Sequence, residues 1–262
     1  MLLLLLANLG FAGGGTPVTT FSDDFEATEA LSVTGWTAFN ASSVPDATKT
    51  GGQYHSGTIS AVGSTTWFNG DRGRADWKLV DFPAGADIEI IAYNIGVGPS
   101  SNPANNLSSS APYAFCGIVV QVENTSTVSY EFLAPCRRDS VATIESKTTT
   151  GGSSSVGDVG ANPVGSGVTH ADIRLLMRSD NTLRWSYRVA GSGGSWTAID
   201  MGSGSGVSQG GGLTYSSGAA WVGIITYAFS SVPESFVGTV DSLTMTGEVP
   251  NDYTLTASAG SV

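Results

Sequence analysis

Two carboxylates, Asp87 and Glu89, stand two residues apart in the stretch DIEIIAYNI, and their spacing bears directly on catalysis. Side chains at i and i+2 share one face of a β-strand, so these acids would stand side by side. Paired carboxylates can divide the work of glycoside hydrolysis, because one donates a proton while the other attacks or stabilises the developing charge. Two further acids, Glu131 and Asp139, are isolated in the sequence.

Cysteine and histidine offer little additional chemistry. The chain has two cysteines, Cys116 and Cys136, and two histidines, His55 and His170, with no zinc-binding spacing and no recognisable Ser-His-Asp or Cys-His arrangement. Strand alternation predicts that both cysteines lie on the even-numbered face of a hairpin over Ala114–Cys136. A three-residue turn would place them opposite each other within disulfide reach, whereas a turn shifted by one pair would leave them diagonal and reduced. Both outcomes remain open at this point.

The elements that position these residues are strands, because alternation with a period of two recurs along the chain and no convincing helix is present. The clearest hairpin spans His170–Val189. One face is apolar and matches across the Ser179–Asn181 turn, with Ile173, Leu175 and Met177 against Leu183, Trp185, Tyr187 and Val189. The other face carries Arg174, Arg178, Arg184 and Arg188.

Two interpretations of these arginines remain. They could contact an acidic neighbour, a second copy of the protein included, because guanidinium groups bind carboxylates in a bidentate manner. Alternatively, they form a solvated sheet face with cross-strand ion pairs, such as Asp172 with an arginine. The second interpretation is preferred.

About a dozen strands in one run predict an all-β, antiparallel β-sandwich of the jelly-roll type. Ala219–Phe229 is apolar on both faces, so a central strand is expected there. Three Gly/Ser-rich stretches are interpreted as long loops at the ends of the sandwich: Gly96–Pro112, Thr149–Val168 and Gly202–Gly218.

The composition excludes two classes of partner. The formal net charge is −11 and only 13% of the residues are charged, while Gly, Ser and Thr number 35, 35 and 27. Nucleic acids and anionic membrane surfaces attract basic proteins, so neither is expected as a partner.

The order of several segments resembles a known fold family. FSDDFE, GWTAFN, DIRLLMRSDNTLRWSYRVAGSGGSWTAI and FVGTVDSLTM follow one another between Phe21 and Gly247. This layout resembles the concanavalin A-like lectin/glucanase jelly rolls, and in particular the laminin G-like modules of secreted bacterial proteins and bacteriophage virion proteins. We therefore expect an N-terminal arm at residues 1–20, a jelly-roll domain at 21–247 and a C-terminal tail at 248–262.

The resemblance has consequences for catalysis and for metal binding. Glucanase members carry a Glu-x-Asp-x-x-Glu run, but here Asp87 and Glu89 are followed by Ala92 where a third acid should stand, so no enzyme is predicted. Related modules often bind a structural calcium ion near the first and last strands, where this chain has Asp23, Asp24 and Asp241. The alternative is that these are ordinary turn or edge-strand acids. No other cofactor is expected.

Aromatic residues in or beside loops are the candidates for sugar stacking. Trp67, Phe68 and Tyr215 are predicted glycan contacts, whereas Trp185 and Trp221 are assigned to the core.

The first residues form an apolar segment without Lys or Arg before Lys49, and its apolar run of six residues is a poor match to a secretory leader. It is also too short for a transmembrane helix. We expect an assembly arm with a Gly-rich hinge that buries Leu2, Leu3, Leu4, Leu5, Leu6, Leu9 and Phe11 in a neighbouring subunit.

These observations predict a non-enzymatic structural protein of a virion, most readily a bacteriophage capsid decoration or a tail or fibre appendage. Its partners would be other virion proteins and copies of itself, with weak adhesion to host-surface glycans. The alternative is a secreted, extracellular carbohydrate-binding module with a degenerate signal peptide.

Overall fold

A computed structural model gives the fold for most of the central part of the chain. It describes residues 21–27, 29–32, 34–39, 44–60, 73–82, 87–104, 114–122, 129–138, 141–150, 153–156, 168–177, 183–198, 218–228 and 234–248.

Every regular element in the described ranges is a β-strand, so the predicted all-β class is confirmed. The strands are β1 (Phe21–Asp23), β2 (Thr37–Phe39), β3 (Thr48–Lys49), β4 (Tyr54–His55), β5 (Gly73–Phe82), β6 (Asp87–Pro99), β7 (Ala114–Val122), β8 (Ser129–Arg138), β9 (Val141–Thr150), β10 (Ser153–Val156), β11 (Ala171–Met177), β12 (Leu183–Val189), β13 (Thr197–Ala198), β14 (Gly218–Ala228), β15 (Phe236–Val240) and β16 (Ser242–Glu248).

The strands form two antiparallel sheets. A seven-stranded sheet has the order β10-β9-β8-β7-β14-β5-β2, and a nine-stranded sheet contains the rest. The nine-stranded sheet divides at β6, because residues 87–93 pair with β16 and residues 96–99 pair with β15. One branch ends at β1, which pairs with β16, and the other continues through β4 to β3. The predicted antiparallel sandwich is therefore confirmed.

The core lies between the two sheets and is built by alternation along each strand. Ile90 and Ala92 of β6 and Leu175 of β11 face Ile118 of β7 and Ile224 of β14 across this space, and all five are fully buried. Burying a side chain of the size of Leu or Ile stabilises a fold by roughly 1.5–3 kcal/mol. This shared core fixes which face of each sheet points outward.

The hairpin register predicted for His170–Val189 is confirmed. Ile173 pairs with Tyr187, Leu175 with Trp185 and Met177 with Leu183. The register follows from the amphipathic pattern, since a slip of one residue would turn the apolar set toward solvent.

The hairpin predicted over Ala114–Cys136 exists as β7 and β8, but both registers considered for it are wrong by one residue. Cys136 pairs with Phe115, not with Cys116, and Val120 pairs with Glu131. Cys116 is a buried free thiol. The even-numbered face that was expected to unite the two cysteines is therefore not formed.

All three predicted loops overlap a strand, although for Gly202–Gly218 the overlap is only Gly218, the first residue of β14. The first four residues of Gly96–Pro112 belong to β6, and Thr149–Val168 contains the end of β9 and all of β10. Within the described ranges, no helix is long and apolar enough to cross a membrane.

Candidate functional site

The outer face of the seven-stranded sheet carries an aromatic patch, which we define as Trp77 and Leu79 of β5 with Trp221 of β14. Val80 and Val222 point into the core, so the alternate residues of both strands lie on the opposite face. The rings of Trp77 and Trp221 are 5.5 Å apart between centroids and are inclined by 31°. The two indoles therefore form a continuous apolar surface.

Exposure within this aromatic patch is graded. Trp77 is buried, Trp221 is half-buried, and Leu79 is 46% exposed. Leu79 lies directly opposite Trp221 in the strand register. The accessible part of the patch is thus an indole beside an aliphatic side chain, and such a surface can stack on the C–H face of a sugar ring.

A glycine makes room for the buried indole. Gly223 pairs with Trp77, and a Cβ atom at this glycine would overlap the carbonyl oxygen of Asp76 and stand 2.6 Å from the Cβ of Trp77. Further along the same strand, Tyr227 stacks on Phe115 of β7 with centroids 4.6 Å apart. Both of these rings lie on the same outer face as Trp221 and are fully buried, so the accessible part of this aromatic patch is limited to Trp221 and Leu79.

The outer face of the nine-stranded sheet carries a second cluster, the arginine face, which comprises Arg174, Arg184, Arg188 and Trp196. The guanidinium carbons of Arg174 and Arg188 lie 4.8 and 4.5 Å from the centroid of the Trp196 ring. Cation–π contacts of this kind contribute about 0.5–1 kcal/mol at exposed sites. Since the indole already contacts two cations, it offers less ring surface to a sugar than Trp221 does.

The structure forms the cross-strand pair that was expected between Asp172 and an arginine. Nε of Arg188 donates a 2.7 Å hydrogen bond to Oδ2 of Asp172. Arg174 donates to Ser186 at 3.0 Å, and its guanidinium lies 3.6 Å from Glu89. The sequence pattern placed Asp172 on the solvent-exposed face, but its side chain is buried. A bulge of β6 covers it.

That bulge centres on Asn94, whose φ is +51°. The backbone N–H of Asn94 donates to Oδ1 of Asp172 at 2.9 Å, and its side-chain amide donates to Oδ2 of Asp241 at 2.7 Å. Oδ1 of Asp241 accepts a 2.6 Å hydrogen bond from Gln53. Asn tolerates a positive φ better than most residues, so this position suits the bulge.

Both histidines are half-buried, and His170 lies close enough to Asp241 for that charge to act on it. Burial lowers the pKa of His55, and it lowers the pKa of His170 although the charge of Asp241 opposes the shift. The ring of His170 rests on the backbone of Gly96, where a Cβ atom would overlap it. Neutral imidazole is therefore favoured at both sites.

The acidic pair Asp87 and Glu89 lies on the arginine side of β6, and neither carboxylate contacts the aromatic patch. Glu89 lies beside Arg174, as given above, and Ala92 is fully buried in the core. Glu131 and Asp139 have side chains outside the described part of the structure. In the ranges described, the run that glucanases use is therefore not assembled on one face.

The carboxylates of Asp23 and Asp241, which were predicted to bind calcium, accept hydrogen bonds from other side chains of the protein. Oδ2 of Asp23 accepts a 2.8 Å hydrogen bond from the indole of Trp36, and Oδ1 lies 3.7 Å from Nζ of Lys49. Asp24 is exposed. Within the described ranges, no group of three or more His, Cys, Asp or Glu side chains is placed to hold a metal ion. Calcium binding by these three acids stays a prediction.

Several predicted site residues lie outside the described residues. These are the arm residues Leu2–Leu6, Leu9 and Phe11, the predicted glycan contacts Trp67, Phe68 and Tyr215, and Arg178. Conversely, Trp221 was assigned to the core from sequence and instead lies half-buried on an outer face. No sequence signal indicates this face, because Trp77 and Leu79 alternate with Asp76 and Lys78, and such a pattern would place the apolar side chains in the core.

Comparison with known proteins identifies the fold. No protein-family model matches the chain, and no curated protein matches it. Among solved structures, the chain is similar to the CBM2 module of the evolved Dit protein of Lactobacillus casei BL23 phage J-1, with a TM-score of 0.53, 10% identity, and 91% of this chain and 100% of that chain covered.

Two other solved structures share the same architecture. One is lectin I from Ulex europaeus in complex with the methyl glycoside of α-L-fucose, with a TM-score of 0.50, 9% identity, and 89% of this chain and 99% of the lectin covered. The other is xylan β-1,4-xylosidase from Bacillus halodurans C-125, with a TM-score of 0.51 and 12% identity. The match covers 90% of this chain and 41% of the enzyme. The chain thus has the concanavalin A-like lectin/glucanase fold, as the sequence predicted.

Proposed function

We propose that this chain is a non-catalytic glycan-binding module that acts as a structural part of a bacteriophage particle. The observation that carries the glycan part is the aromatic patch, in which half-buried Trp221 lies opposite exposed Leu79 on a rigid sheet face. A flat apolar surface on a strand pair needs no rearrangement before a sugar stacks on it, and preorganisation of this kind favours binding.

The virion part of the proposal is supported by the similarity to a module of a phage Dit protein and by the sequence of the N-terminal segment. Leu2–Leu6 would join the module to other virion proteins, because burial of apolar surface drives association. The alternative, a secreted carbohydrate-binding module, shares the glycan site and differs in location. A mature N-terminus beyond Gly15, measured by mass spectrometry of the native protein, would favour secretion.

The non-catalytic part of the proposal rests on the positions of the acidic residues. Glu89 faces a cation on the opposite side of the sandwich from the aromatic patch, and the third acid of the glucanase run is replaced by Ala92. Retaining and inverting glycosidases both need two carboxylates that flank the bond to be cleaved. The proposed function is therefore recognition of a glycan without hydrolysis.

The test is a glycan array followed by titration of the best-bound glycan with the full chain. Trp221→Ala is expected to weaken binding by about tenfold or more, since truncating an apolar contact of this size costs roughly 1.5–3 kcal/mol. Trp196→Ala is the matched control, because it removes an indole from the opposite sheet. An array with no signal, or equal losses from the two variants, would contradict the proposed site.

A further inference from the structure

The two far edges of one sheet carry opposite charge. Along one branch the nine-stranded sheet runs β13-β12-β11-β6-β16-β1, so β12 and β13 lie at one edge and β1 lies at the other. The arginine face belongs to the first edge. The residues that follow β1 at the second edge include an acidic segment, which we define as Asp24, Glu26 and Glu29.

The arginine face presents cations in fixed positions. The side chains of Arg174 and Arg188 are 24% and 21% exposed, and their contacts with Trp196 hold both guanidinium groups against the sheet. Arg184 is exposed and pairs across the strands with Leu176, so no acid stands opposite it in the hairpin. Asp172 pairs with Arg188 and the partly exposed Glu89 lies 3.6 Å from Arg174, so the net positive charge of this edge rests on Arg184.

The acidic segment is also anchored to the sandwich, through the side chain of Phe25. Phe25 is buried, and its ring lies 5.9 Å from that of Trp36 and 5.7 Å from that of Tyr54. The adjacent acids Asp24, Glu26 and Glu29 are all exposed. A buried aromatic residue in the middle of an exposed acidic run holds the carboxylates at the surface.

We propose that copies of this chain associate head to tail, with the arginine face of one copy against the acidic segment of the next. Complementary charge is needed, because a chain with a net charge of −11 repels its own copies wherever like surfaces meet. An interface between two different patches is heterologous, and it generates a ring if the rotation closes or a filament if it does not. The proposal goes beyond glycan binding and does not depend on it.

The experiment measures the molar mass of the full chain by analytical ultracentrifugation at low ionic strength and in about 1 M salt, where the Debye length is about 3 Å. Association is expected at low ionic strength and loss of association in high salt. Two charge-reversal variants, Arg184→Glu and the double variant Glu26→Lys with Glu29→Lys, are each expected to weaken self-association by about tenfold or more.

Mixing the two variants gives the decisive result. Each carries one reversed and one natural patch, so every contact between the two different variants joins opposite charges, and association is expected to return in an equal mixture. The control is Ser100→Glu with Ser101→Glu, which changes the net charge by −2, as Arg184→Glu does, at an exposed turn away from both edges. A monomer at every ionic strength, a salt-independent oligomer, or a mixture that stays monomeric would each overturn the proposal.

Discussion

The hydroxyl of Tyr54 donates a 2.8 Å hydrogen bond to Oδ2 of Asp76, and the two residues belong to opposite sheets of the sandwich. Arg74 completes this buried network, since its Nε and Nη2 donate to the same carboxylate, and its Nη1 donates to Asp46 at 2.9 Å. Burial opposes the charge of Arg74, but the hydrogen bonds and the charge of Asp76 outweigh burial and raise the pKa of Arg74. Burial and the charge of Asp76 likewise raise the pKa of Tyr54 well above its usual value.

Asp76→Ala is therefore expected to lower the free energy of unfolding by about 3–5 kcal/mol, because it leaves the Arg74 charge buried without its main partner. Urea unfolding checks this value. Asp46→Ala is the matched control, since the side chain of Asp46 is 93% exposed and such a pair contributes about 0–1 kcal/mol. Similar losses from the two variants would contradict the assigned role of the buried carboxylate.

Gly96→Ala is expected to destabilise the fold by about 1–3 kcal/mol, because the new methyl group would overlap the ring of His170 and force it to move. Adding His170→Ala should remove part of that loss, which a double-mutant cycle measures. Gly194→Ala provides the comparison, since the nearest atom to its Cβ is the Ser192 hydroxyl at 3.3 Å. Strict additivity of the two substitutions would show that the glycine and the ring do not interact.

The thiol of Cys116 is expected to resist alkylation in the folded protein. Burial raises the pKa of Cys116 to about 12, against the hydrogen bonds that the thiol makes with Thr226 and the backbone of Gly117. Only the thiolate reacts with iodoacetamide, so at pH 8 the folded chain should be labelled far more slowly than the chain in denaturant. Cys136→Ser leaves Cys116 as the remaining thiol for this measurement. Equal rates in the two states would exclude a buried thiol.

Stability is expected to fall as the pH is lowered below about 6.5, the ordinary pKa of histidine. The folded pKa values of His55 and His170 are lowered, so the unfolded chain binds protons first, and protonation pulls the equilibrium toward unfolding. Above about pH 6.5 both states are neutral at these groups and the effect vanishes.

Urea unfolding at pH 7.5 and pH 5.5 tests this direction, since carboxylates titrate mostly lower, near pH 4. The double variant His55→Gln with His170→Gln should show a smaller loss between the two pH values than the natural chain. A loss of the same size in both proteins would assign the pH dependence to other groups.

The sequence predicts a register only where it makes the two faces of a strand differ. In β11 and β12 one face is apolar and the other carries Arg174 and Arg188, so the observed pairing is the one that buries the apolar set. In β7 every residue from Ala114 to Val120 is buried, so alternation carries no information about which face points inward. The slip of one residue that separates Cys136 from Cys116 has this cause.

The candidate site was harder to predict than the fold for a related reason. β14 is apolar on both faces, and only the packing of a second sheet decides that Val222 faces the core and Trp221 does not. The position of Trp196 between two guanidinium groups depends on how the chain returns after β12, through the turn at Gly191 and Gly193 with φ of +68° and +61°. Strand periodicity does not encode such a return.

The place of β6 in the sheet has a consequence for biosynthesis. On one side β6 pairs with β11, and on the other with β15 and β16, which lie about 140–160 residues later in the chain. While residues 236–248 remain inside the ribosome, one edge of this long apolar strand has none of its final partners. Pairings so distant in sequence form slowly, and unpaired strand edges recruit other chains. We therefore expect chaperone contacts during synthesis to concentrate on the nascent segment Asp87–Pro99.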